Sequence, residues 1–75
     1  MSHFVEVSYK DDQDSRSLGT TLLDLANKYY GSPSNRGTSD DRRNLEFLFP
    51  HYEQASAFMA DIQTYLPQVS VDRVA

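Results

Sequence analysis

The chain has 75 residues, 39% of them hydrophobic and 24% charged, with a formal net charge of −4 and no cysteine. That is one small domain within the globular range of composition, and it excludes wholesale disorder and a disulfide framework. Eleven acidic against seven basic residues disfavour binding that rests on neutralising nucleic-acid phosphates or anionic lipid.

A core this small rarely supplies more than about 3–5 kcal/mol, so support from a partner or from self-association is expected. The opening Met1-Ser2-His3-Phe4-Val5-Glu6 lacks the basic start and long apolar run of a signal peptide, and no apolar stretch has the length of a membrane span. The default expectation is therefore a soluble cytoplasmic protein, in a host cytoplasm if a virus encodes it.

In residues 3–10, Val5, Val7 and Tyr9 alternate with Glu6, Ser8 and Lys10, the period of a half-buried strand. The turn-prone Asp11-Asp12-Gln13-Asp14-Ser15 ends it. In residues 17–30, Leu18, Leu22, Leu25 and Tyr29 fall three and four apart, with Leu23, Ala26 and Tyr30 widening the stripe. Ser15 or Ser17 is the expected cap of this helix, Gly31 its left-handed end, and Pro33 its stop.

Residues 31–43 hold no apolar side chain except Pro33, and read as a long, flexible surface loop, with a short edge strand within it as the alternative. In residues 44–49, Leu45, Phe47 and Phe49 share a face, and Pro50 closes the strand. Residues 51–66 form a second amphipathic helix on Ala55, Phe58, Ile62 and Leu66, flanked by Met59 and Tyr65, with Glu53 complementing the dipole at its first turn. Pro67 ends it. A last strand covers 68–74, where Val69 and Val71 alternate with Ser70 and Asp72.

The order is β-α-loop-β-α-β. Each strand carries an acid on its outward face: Glu6, Glu46 and Asp72. Burying three carboxylates beneath a helix layer would be costly, so a two-layer α+β sandwich is expected, with an antiparallel sheet and both helices on one face. This pattern resembles the ferredoxin-like fold with its second strand reduced or missing. The resemblance is topological, brings no family motif, and implies no function.

No catalytic, metal or cofactor signature is present, and no enzymatic activity is expected. His3 and His51 are the two histidines, and nothing in the sequence brings them together. From Asp12 a calcium loop would need an oxygen ligand at Arg16 and a glycine at Ser17, so the acidic run reads as a solvated turn. Neither phosphate-binding glycine motif nor a Gly-x-Ser-x-Gly elbow occurs. An open sheet face with one aromatic among Glu6, Glu46 and Asp72 is a poor platform for stacking RNA bases.

The basic cluster Arg36, Arg42 and Arg43 is diluted by Asp40 and Asp41, yet it sits on a loop, where binding residues concentrate. Of the five tyrosines, Tyr9, Tyr29 and Tyr65 fall on or beside buried stripes, whereas Tyr30 and Tyr52 are candidates for an interface rim.

These residues lead to the expectation of a small protein-binding module, an inhibitor, adaptor or regulator of a larger protein. The base rate for short stand-alone chains points to a virus- or mobile-element-encoded modulator. One form of it presents the acidic face of Glu6, Glu46 and Asp72 to a basic partner and competes for a nucleic-acid-binding surface. A sheet edge left without its neighbour offers β-addition to a partner or to a second copy. Two alternatives stand beside this: an enzyme subunit whose pocket forms on dimerisation around His51, Tyr52 and Arg43, and a component of a larger assembly.

Overall fold

The computed structural model describes residues 3–75; Met1 and Ser2, the first two residues of the stretch read for a leader, lie outside them. The elements run β1 (His3–Lys10), α1 (Ser15–Lys28), β2 (Ser32–Ser39), β3 (Arg42–Phe49), α2 (Tyr52–Tyr65) and β4 (Ser70–Val74). The four strands form one sheet in the order β2-β3-β1-β4, and every neighbouring pair is antiparallel. The result is an α+β fold compatible with a ferredoxin-like sandwich.

Alternation places the core. Val5, Val7 and Tyr9 of β1 and Phe47 and Phe49 of β3 are buried in one cluster with Leu22 and Ala26 of α1 and Ala55, Phe58 and Ile62 of α2. Both helices therefore cover the same face. Phe58 is the hub, with ring centroids 5.3 Å from Phe47, edge to face, and 5.0 Å from Phe49, tilted, arrangements that aromatic pairs prefer to a face-to-face sandwich. Glu6 and Glu46 stand on the opposite, open face, directly across from each other.

The flexible loop expected over 31–43 is corrected in favour of the edge-strand alternative, and the strand is not reduced: Ser32–Ser39 pairs along β3 from Ser32↔Leu48 to Ser39↔Arg42. Hydrophobic periodicity could not reveal it. β2 is an edge strand exposed at every residue, held by backbone pairing, so no apolar pattern is needed. Asp40 and Asp41 make the two-residue turn that joins it to β3, with Asp40 at φ 55°.

Helix ends also differ from expectation. α1 begins at Ser15, and the residue before it, Asp14, makes no side-chain cap. The Ser15 hydroxyl instead donates to Asp11 Oδ1 at 3.0 Å. At the other end the left-handed residue is Tyr30 (φ 63°), not Gly31. The N–H of Tyr30 bonds Asn27 O and that of Gly31 bonds Ala26 O, the two bonds of a Schellman turn. Gly31 is needed for another reason: a Cβ there would run into the Phe49 ring. Tyr65, expected to pack, is 73% exposed.

Candidate functional site

Two surfaces collect the polar residues singled out by the sequence. The first is the open face of the sheet. Phe4, Glu6, Ser8 and Lys10 of β1 lie there beside Arg42, Asn44, Glu46 and Leu48 of β3. On β4 the register shifts between Glu6 and Val7: Val7 pairs Val71 and Glu6 pairs Arg73, leaving Asp72 without a partner. The bulge sets Asp72 and Arg73 together opposite Glu6, so a cation joins the expected acids, and the Arg73 guanidinium lies 4.8 Å over the Phe4 ring. Arg42 donates to the Ser8 hydroxyl at 3.0 Å and covers it. Lys10, Arg42 and Arg73 therefore interleave with Glu6 and Glu46, and the face is mixed in sign, not uniformly negative.

The second surface is concave. A cleft of about 500 Å³ opens between α1 and the β2–β3 hairpin. Its walls carry Arg16, Thr20 and Leu23 from α1, Arg36 and Thr38 from β2, and Arg43 and Leu45 from β3, with Tyr9 at the base. No acidic residue lines it. An adjoining cavity of about 430 Å³ shares Leu23, Arg36 and Leu45 with it and runs on to Pro33, Ser34 and Asn35. Leu23 belongs to this lip and not to the core, being 39% exposed.

The charges are held in place unequally. Asp11 is a node: its N–H donates to Asp41 O at 2.6 Å, and its Oδ1 accepts from Ser15 Oγ and, at 2.9 Å, from Arg43 Nε. That fixes Arg43 against the hairpin. Among the described residues the ion pairs are Arg43–Asp11 and Lys28–Asp61, so Arg16 and Arg36 pair with no carboxylate.

Tyr9 is 2% exposed, yet its hydroxyl makes no hydrogen bond among the described residues. Among the described residues no fully buried side-chain polar atom lacks a partner, so this hydroxyl reaches solvent, beside Gly19 of the cleft wall. Burial pushes the phenol pKa above its ordinary value, against the pull of Arg43 and with a smaller push from Asp11. Gly19 makes room for the hydroxyl, since a Cβ there would sit 3.0 Å from the Tyr9 oxygen. A glycine within a helix costs about 1 kcal/mol relative to alanine, and this contact is what it serves.

The remaining candidates are dispersed. His51 precedes α2, where its N–H donates to Gln54 Oε1 at 3.2 Å. Tyr52 is exposed and meets the His3 ring edge-on at 6.0 Å. Arg43 lies at the far end of β3, about 20 Å from Phe49 at some 3.3 Å per residue, so the trio of His51, Tyr52 and Arg43 is not assembled within one chain. Tyr30 is 78% exposed at the end of α1. Asp40 and Asp41 belong to the hairpin turn, where Asp41 offers its carbonyl to Asp11.

Sequence reasoning found Arg36 and Arg43 but missed Arg16, which reaches the same cleft from the first turn of α1. The signal was hidden because a strand read as a loop gives no wall for Arg16 to face. No cluster of three or more His, Asp or Glu that could hold a metal occurs among the described residues, and no helix there is long and apolar enough to cross a membrane. Scans of protein-family models and of curated proteins found no match to the chain.

Proposed function

We propose that the chain is a small non-catalytic protein-binding module, an adaptor or inhibitor, that receives an extended segment of a larger protein along β2. The observation that carries this reading is the exposure of all eight β2 residues, on both faces and along one edge of the sheet. Such an edge offers backbone groups to an added strand, with side-chain pockets for selectivity. Pro33 and the register shift between Pro33 and Asn35 interrupt the first part of β2, so residues 35–39 are the usable stretch. β4 is a weaker candidate, being shorter and broken at Asp72. The order β2-β3-β1-β4 further supports reading the sandwich as ferredoxin-like.

The cleft beneath β2 selects the partner's character. Arg16, Arg36 and Arg43 favour an acidic segment, and Leu23, Leu45 and Pro33 favour an apolar residue beside the acid. The mixed open face gives no comparable support to competition for a nucleic-acid-binding surface.

The test is affinity capture from the native cell extract with the tagged full chain, its Arg36→Glu variant and its Asp72→Ala variant. A partner held by the parent chain and by Asp72→Ala but lost from Arg36→Glu is the expected result. A partner indifferent to Arg36→Glu would reject the β2 surface.

A further inference from the structure

We propose that the cleft between α1 and the β2–β3 hairpin binds the phosphate of an alkyl or aryl phosphomonoester. The inference deepens the reading of β2 as a capture edge, and rests on that reading only for the source of the phosphate.

Charge balance selects the ligand. The walls carry Arg16, Arg36 and Arg43 and no acid. Asp11 offsets one of these charges through Arg43 Nε. Two positive charges remain uncompensated. A phosphomonoester carries about −1.5 to −2 near pH 7, which matches them; a lone carboxylate would leave one guanidinium unneutralised.

Hydrogen-bonding capacity points the same way. Three acceptor oxygens suit guanidinium donors. The two terminal nitrogens of Arg43 have no acceptor among the described residues, and neither has the Tyr9 hydroxyl at the cleft base. A tyrosine 2% exposed with an unengaged hydroxyl is a donor held ready in the wall. The adjoining cavity, which shares Leu23 and Leu45 and reaches Pro33, would take the ester's organic group. The Ser15 hydroxyl is committed to Asp11, and no carboxylate or imidazole lines the cleft.

The experiment is amide-resolved NMR of the full chain titrated in turn with inorganic phosphate, phenyl phosphate, O-phosphoserine and benzoate, at constant ionic strength set with chloride. Shifts should centre on Gly19, Thr20, Gly37 and Thr38. Phenyl phosphate should bind about tenfold tighter than inorganic phosphate, through the adjoining cavity, and about tenfold tighter than benzoate, through charge. Arg16→Ala and Arg36→Ala, at exposed positions that leave the fold intact, should each weaken binding roughly tenfold or more, while Arg73→Ala on the open face leaves it unchanged. Shifts reproduced by chloride, or spread over both faces, would overturn the site, as would full affinity in both arginine variants.

O-phosphoserine binding tighter than inorganic phosphate would mark a phosphorylated segment as the source; equal binding of the two would mark a free phosphorylated small molecule. Intact phenyl phosphate binding with no β2-dependent partner removes the capture reading alone. A partner lost from Arg36→Glu, with no phosphate-specific shifts, removes the phosphate site alone.

Discussion

Tyr30 and Gly31 divide between them two tasks usually given to one glycine. Tyr30 takes the left-handed conformation at φ 63°, which costs a side-chain-bearing residue about 1–2 kcal/mol. Gly31 supplies close approach, beneath the Phe49 ring. Tyr30→Gly should therefore stabilise the fold by up to about 1 kcal/mol, a rise of about 4–8 °C in Tm for a domain of this size. Gly31→Ala should destabilise it by about 1–3 kcal/mol through overpacking. Thermal melts of the two variants should move in opposite directions; a joint fall would show that the Tyr30 side chain contributes more than its backbone costs.

Two further tyrosines set the alkaline limit. Hydrogen bonding to Asp61, with smaller contributions from desolvation and the Asp61 charge, raises the Tyr29 pKa against the opposing effect of Lys28. Burial raises that of Tyr9. A phenol whose folded pKa lies above its unfolded value keeps its stabilising contribution below about pH 10 and loses it as pH climbs through the folded value. Tyrosinate absorbance should show two late-titrating phenols, and stability should decline only above about pH 10. Tyr9→Phe and Tyr29→Phe should each remove one late titration.

At the level of elements, β1 shows what patterning can reveal and β2 what it cannot. β1 has one face on the core, so alternation of valine and tyrosine with polar residues marks its full length. β2 buries no residue, so its sequence is under no demand for apolar alternation. β4 was legible as a strand, but its bulge was not: one extra residue at Asp72 brings Arg73 opposite Glu6, and nothing in Val-Asp-Arg-Val announces that shift. Pairing β1 with β3 sets Glu6 opposite Glu46, while Ser34 Oγ donates to Glu46 Oε1 at 2.8 Å. Like charges directly opposite destabilise a sheet. Glu6→Gln should raise stability by about 0.2–1 kcal/mol in denaturant unfolding; no gain would show that Arg73 already offsets the repulsion.

Over the whole molecule, a net charge of −4 gives a misleading account of where a ligand would be met. The negative excess is distributed over turns and helix surfaces, while the concave feature collects arginines from three elements. Composition therefore described the average surface and not the cleft. The layer arrangement was legible because both helices and two strands carry strong periodic signals. The candidate site was only half legible, because its third arginine depends on a strand without a hydrophobic signature.

The register shifts near Ser34 and at Asp72 fall on the two outer strands of the sheet. A sheet with smooth borders on both sides can recruit copies without end and grow into a fibre. Here each border has an out-of-step residue that spoils the fit of the next copy. Growth by edge-to-edge addition is thereby curtailed on both sides.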